Sequence, residues 1–253
     1  MNSLIRWGTT LGLVGSAVLT TVLGQTLKVL ALPTEEVVKI LQGVPVFTIA
    51  DGQGAPLVAV DNNKKITGIF VSQQEAQKFF QQLKKDKPDI ASKVSVQPVS
   101  LGEVYKLAVT NANKPDSLNF AYVPVPTEIN AATQILTAAG QKYQGGVPLY
   151  VARGGKEQGY LTIQQNNEQV IPFFFEAKQI QEMVARFKKE KPDLASTVKI
   201  EVVPLENVMS TLQQSDDKML KSIRLIPSEE SIRFIQTAIQ NQSKQSSAPA
   251  PKK

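Results

Sequence analysis

The stretch Lys84–Ser92, KKDKPDIAS, returns 104 residues later as Lys188–Ser196, KKEKPDLAS, with only Asp86 to Glu190 and Ile90 to Leu194 changed. A match of this length constrains the fold more than any other feature of the chain, because a repeated sequence implies a repeated structural unit. Its neighbours repeat as well. Ala76, Phe79, Phe80 and Leu83 fall on Ile180, Met183, Val184 and Phe187, and Ile66–Val71 falls on Val170–Phe175. Upstream, Gly43–Phe47 matches Gly146–Tyr150 at an offset of 103, one residue less. The chain therefore reads as two copies of one unit of about a hundred residues.

Each unit alternates strands and helices. In the first, strands are expected near 44–50, 57–60 and 66–71, a helix at 73–85, a strand at 94–99, a helix from 101, a strand at 118–125 and a helix from Thr127 to Gly140. Asp51-Gly52-Gln53-Gly54 and Asp61-Asn62-Asn63 are turn chemistry. Ser72…Glu75 and Ser100…Glu103 have capping-box spacing. The second unit repeats this order, with strands near 147–152, 159–163, 169–175, 197–203 and 220–226 and helices at 177–190, 205–214 and 229–240. The expected class is α/β (α+β): two pseudo-symmetric repeats, each a mixed β-sheet packed with about three helices.

The ends differ from the repeats. Arg6, the apolar run Leu11–Leu23 and Val29-Leu30-Ala31 form an expected export signal over residues 1–31, with an uncleaved anchor as the other reading. The organisation that follows is a short helix at 32–42, repeat 1 at 43–140, repeat 2 at 141–240 and a disordered tail at 241–253 rich in Gln, Ser, Ala, Pro and Lys. The expected location is exported, in a periplasm or thylakoid lumen, either soluble or peripheral to a membrane.

Composition excludes several chemistries. The chain has no cysteine and no histidine, so thiol nucleophiles, Ser-His-Asp arrangements and the usual zinc sites are impossible. Neither glycine-rich turn, Asp51-Gly52-Gln53-Gly54 or Gly154-Gly155-Lys156, leads into a helix, so no phosphate cradle is expected. The acidic pairs Glu35-Glu36 and Glu229-Glu230 suit helix amino ends, and Asp216-Asp217 lies in a polar loop. The reading is therefore non-enzymatic, without cofactor or metal. A formal charge of +6 without an arginine stripe does not point to nucleic acid.

The informative surface is apolar. Along 170–175, Val170, Pro172 and Phe174 face one way and Ile171, Phe173 and Phe175 the other. Both faces are apolar, so either helices cover both or part of one stays open as a groove. In the second case the candidate polypeptide-binding residues are Ile69, Val71, Phe173 and Phe175, with Phe47 and Tyr150. Pro172 lacks an N–H and suggests an edge strand or bulge, where an extended chain could add as a strand. The repeated lysines, Lys84, Lys85 and Lys87 with Lys188, Lys189 and Lys191, read first as helix-ending charges and second as paired basic patches for lipid phosphate or an acidic partner.

An export signal followed by Val44-Pro45-Val46-Phe47-Thr48-Ile49, the doubled KKxKPDxAS and Gly146-Val147-Pro148-Leu149-Tyr150-Val151 resembles the cyanobacterial members of the Tic family of 22-kDa translocon subunits. The resemblance covers most of residues 35–240. It rests on overall pattern, since the family has no catalytic signature, and the plastid relatives carry a transit peptide where this chain has a bacterial leader. It implies a pseudo-symmetric α/β protein with ATP-independent, chaperone-like contact to precursor or outer-membrane proteins in transit. The partners it implies are unfolded or translocating polypeptides, an outer-membrane assembly machinery and transient membrane contact. The alternative is a structural adaptor for one folded envelope partner.

Overall fold

The computed structural model of the chain describes residues 8–14 and 32–246, apart from 113, 115 and 216. The expected export segment lies outside the described residues except for strand β1 (Gly8–Val14). Helix α1 (Thr34–Leu41) follows. The first half then contains β2 (Pro45–Asp51), β3 (Ala59–Asp61), β4 (Lys64–Phe70), α2 (Gln73–Asp86), α3 (Pro88–Ala91), β5 (Val94–Ser100), α4 (Leu101–Asn111), β6 (Leu118–Val123) and α5 (Pro126–Ala138). The second half contains β7 (Pro148–Gly154), β8 (Gly159–Gln165), β9 (Glu168–Phe174), α6 (Ala177–Glu190), a 3-10 turn at Pro192–Thr197, β10 (Lys199–Pro204), α7 (Leu205–Gln214), a 3-10 turn at Lys218–Ser222, β11 (Ile223–Ile226) and α8 (Glu229–Ser246). The first residues of the expected tail, 241–246, are helical, since α8 continues to Ser246, and residues 247–253 lie outside the described residues.

The two sheets share one pairing scheme. In the first, β2 pairs antiparallel with β5 and with β4, and β6 joins β4 in parallel. In the second, β7 pairs antiparallel with β10 and β9, and β11 joins β9 in parallel. Even the registers correspond: Phe47 faces Phe70 in one sheet and Tyr150 faces Phe174 in the other. The hairpin turns correspond too. Asn62 and Asn63 have φ of 46° and 61°, and Asn166 and Asn167 have 50° and 65°. Asparagine tolerates this left-handed region, whose twist matches that of the flanking strands.

Alternation along the strands divides the apolar side chains into layers. Val46, Ile69 and Val71 from the first sheet join Leu149, Val151, Ile171, Phe173 and Phe175 from the second in one inner cluster with side chains of α1, α4 and α7. Phe47, Ile49 and Phe70 face the opposite way, against Ala76 and Phe80 of α2. Tyr150, Ala152, Val170 and Phe174 face Ile180, Met183, Val184 and Phe187 of α6. Helix α1 has no counterpart in the second half. It approaches α4 so closely that a Cβ on Gly102 would lie 2.8 Å from the Val38 carbonyl oxygen, so glycine is required there.

The local signals start the helices as the residues suggest. Ser72 Oγ accepts from Glu75 N at 3.3 Å, and Ser100 with Glu103 forms the full capping box of α4. The expected stripe on α2 is only partly buried: Ala76 and Phe80 are inside, whereas Phe79 is 46% exposed. Its ring rests beside Phe70 at 5.4 Å rather than in the core.

The last helix of each half crosses to the other sheet. Ala132 of α5 packs into the cluster of the second sheet. Phe234 of α8 packs on the first sheet, edge-on to Phe47 with ring centroids 5.2 Å apart. This exchange joins the halves more firmly than abutting faces alone.

Candidate functional site

The six residues expected to bind polypeptide are all buried. Ile69, Val71, Phe173 and Phe175 belong to the inner cluster, Phe47 to the layer under α2 and Tyr150 to the layer under α6. None of them lines the open groove: the inner faces of both sheets and three helices close over the first four, of which Val71 and Phe175 reach only the cavity between the halves, and α2 and α6 cover Phe47 and Tyr150. The edge expected at Pro172 is also absent. Strand β9 is paired on both sides, with β11 on one and with β8 and β7 on the other. Pro172 falls between the two antiparallel pairings, after Val170 opposite Ile163 and before Phe174 opposite Tyr150, so its missing N–H interrupts no pairing with β7 or β8.

The lysines of the doubled motif are exposed at the ends of α2 and α6. None of the six makes an ion pair with a described residue. Lys84 Nζ lies 4.6 Å from the centre of the Phe80 ring. Pro88 and Pro192 each open the next short helical turn, which fits their helix-ending role.

An open apolar concavity exists elsewhere. A groove of about 610 Å³ runs between the end of α1, the ends of β8 and β11, and α8. Ile40, Ile163, Leu225, Ile226, Ile235 and Ile239 form its apolar wall. Ile239 is 60% exposed, an unusual position for a large β-branched side chain. The rim is polar. Arg224 is held by the Lys221 and Ile223 carbonyls at 2.6 and 2.8 Å and by Glu168 at 3.2 Å. Lys39 on the same rim makes no ion pair with a described residue. The groove's signal in the sequence was the run Ile232, Ile235, Ile239 in α8, with i, i+3, i+7 spacing. That spacing equally describes a buried stripe.

A second cavity, of about 330 Å³, lies where the halves meet. Val71 and Phe175, at matching places in the two halves, both reach it. Four carboxylates line it, and helix ends use three of them. Glu128 accepts from Ala177 N at 2.9 Å, Glu230 from Gln74 N at 2.8 Å, and Glu176 from Glu229 N at 3.1 Å. Burial lifts the Glu176 carboxyl above the usual range, the Glu229 N–H opposes this, and the charges of Glu229 and Glu128 add to the lift. The fourth, Glu75, pairs with Lys78 at 2.7 Å. Because these carboxylates are engaged, the seam is a clasp rather than a ligand cradle. Among the described residues no three Asp or Glu side chains gather as a metal site, and no helix is long and apolar enough to cross a membrane.

Comparison with known proteins fits this architecture. The model of the Tic22-like family matches residues 8–237. Anabaena Tic22, a solved structure described as a protein-transport protein, superposes with a TM-score of 0.73 at 30% identity, covering 87% of this chain and all (100%) of that one. Tic22 from Plasmodium falciparum superposes with a TM-score of 0.62 at 17% identity over 81% of this chain and 98% of that chain, a likeness of fold. The chloroplastic protein TIC 22 of Arabidopsis thaliana is 22% identical over 182 residues, 71% of this chain. The match spans 62% of that relative's length. The Pisum sativum protein is 22% identical over 187 residues, 73% of this chain and 69% of its own length.

Proposed function

The chain belongs to the Tic22-like family, and from that premise we propose that it acts in protein transport as an ATP-independent holdase for unfolded or translocating polypeptides. Its clients would be precursor or outer-membrane proteins crossing the space outside a bacterial inner membrane. The observation that carries this reading is the open groove under α8, with its isoleucine wall and half-exposed Ile239. The Anabaena relative's transport role supports the same direction. Apolar contact on the order of 400 Å² is worth roughly 10 kcal/mol gross, and ordering the client removes much of it. Weak, reversible capture follows, which suits a carrier that must release its cargo.

The adaptor reading draws on the exposed lysines at the ends of α2 and α6, which make no ion pair with a described residue and would meet an acidic folded partner. Light scattering separates the two. An unfolded outer-membrane β-barrel protein is diluted with the wild-type chain, with Ile235→Ser/Ile239→Ser, and with Val60→Ser as an exposed control away from the groove. The holdase reading requires near-stoichiometric suppression of aggregation that the groove variant loses and the control keeps. Equal suppression by all three removes the groove from the function. No suppression by any of them leaves the adaptor.

A further inference from the structure

Strand β8 is an edge of unusual composition. Its seven residues, Gly159 to Gln165, include neither a proline nor a charge. By contrast β10, an edge on the other side of the same sheet, carries Lys199, Glu201 and Pro204. Charges and prolines are the ordinary guards against strand addition, and β8 lacks them. What covers β8 is β1, a segment of the expected leader, paired antiparallel with Gly12 opposite Thr162, Leu13 opposite Leu161 and Val14 opposite Tyr160.

The pairing leads toward the groove. Gly8 lies opposite Gln164, and Ile163, Gln164 and Gln165 line the groove wall. Between Gly8 and Gly12 the register shifts, so the added strand is irregular as it nears the groove. Thr162, in the middle of the paired stretch, is 1% exposed and its Oγ1 has no hydrogen-bond partner. The edge thus accepts an extended chain at the place where an apolar groove begins.

We infer that the β8 edge is a strand-addition site for extended, uncharged, apolar segments of client polypeptides, and that Gly8–Val14 occupies it in cis as a built-in competitor for as long as the chain retains its amino-terminal segment. The inference rests on the polypeptide-binding reading and specifies where and how the client pairs. Backbone hydrogen bonds to β8 would supply sequence-tolerant affinity, and the groove beside it would select apolar side chains. A tethered competitor acts at an effective concentration on the order of millimolar, so client affinity should rise when β1 is lifted away.

The test keeps the full chain. Because the chain has no cysteine, Gly12→Cys/Thr162→Cys clasps β1 to β8 on oxidation, and Leu13→Cys/Leu161→Cys serves if the first pair disturbs folding. Gly12→Pro/Leu13→Pro opens the edge, since one of two neighbouring residues in an antiparallel strand donates to a given partner. The probe is a fluorescein-labelled peptide of sequence GTTLGLV, read by anisotropy. The opened variant should bind it at least about tenfold tighter than the oxidised clasped variant, and reduction should restore the wild-type level. Equal binding by opened and clasped chains with matching thermal melts overturns the inference, as does failure of both cysteine pairs to form a disulfide. If peptide binding is equal while all chains still suppress aggregation, the edge assignment falls and the holdase reading stands. Peptide exchange at the edge without aggregation suppression by any variant removes the holdase reading and the client assignment with it.

Discussion

Glu230 Oε2 accepts a hydrogen bond from Ser72 Oγ at 2.7 Å, across 158 residues of chain. Its other oxygen accepts from Gln74 N at 2.8 Å, so an acid on α8 caps α2 of the other half. Glu128 on α5 returns the service, accepting from Ala177 N at the start of α6. Glu230→Ala should destabilise the fold by about 1–2 kcal/mol, as lost caps do. A double-mutant cycle with Ser72→Ala, followed by urea denaturation, should give a coupling of about 0.5–1 kcal/mol. A coupling of zero would mean that the two side chains act independently.

Phe234 tests the helix exchange from its apolar side. The ring is half-buried against Phe47, so Phe234→Ala should cost about 2–3 kcal/mol, below the cost of truncating a fully buried phenylalanine. A loss confined to the second half, seen as two separate unfolding transitions in calorimetry, would show that α8 does not bind the halves into one cooperative unit.

Phe173 and Phe175 are 5% and 6% exposed in the inner cluster. Phe173→Ser and Phe175→Ser should each cost about 3–5 kcal/mol, a large share of the stability of an ordinary domain. Their effect on client binding should therefore appear as loss of folded protein in circular dichroism. A folded Phe175→Ser chain with wild-type melting and lost binding would contradict the burial of this residue.

Glu176 makes stability depend on pH in a definite direction. Its folded pKa is raised, so the folded state holds the proton more tightly than the unfolded chain does. Stability therefore rises as pH falls from neutral through the raised folded value toward the unfolded value of about 4.3. Glu176→Gln keeps an acceptor for Glu229 N and removes the buried charge. Its melting temperature relative to wild type should be highest at pH 7, and the gap should narrow toward pH 4.5. A gap that widens on acidification would refute the assignment.

Tyr122 is raised to about 12, first by burial and then by the charge of Glu206. Burial raises Tyr150 as well, with its neighbour Glu128 adding to the effect. For a phenol raised in the folded state, stability is complete below the unfolded value of about 10 and falls as pH climbs beyond it. Absorbance near 295 nm should show these two tyrosines ionising only above about pH 11, or together with unfolding. Tyr122→Phe should reduce the alkaline loss of stability. Ionisation of all five tyrosines in one step near the ordinary value of about 10 would contradict this burial.

Much of the fold was legible because its signals are local. The Asn62-Asn63 and Asn166-Asn167 turns, the Ser100 cap and the prolines after α2 and α6 act within a few residues of chain, and the strands and helices fall where these residues place them. The alternation of Val170 and Phe174 against Ile171 and Phe173 also came through, since side-chain direction in a strand follows from position alone. What each face meets was decided by the tertiary structure. An apolar face reads the same whether a second sheet, a helix or a client will cover it. Ile69, Val71, Phe173 and Phe175 are covered because both sheets close on one inner core, while Ile239 on α8 stays exposed beside a groove. The crossing of α5 and α8, the capping of Ser72 by Glu230 and the docking of β1 along β8 join residues far apart in the chain. Burial and pairing energy over those distances depend on which surfaces the closed chain leaves free, and no local pattern carries that information.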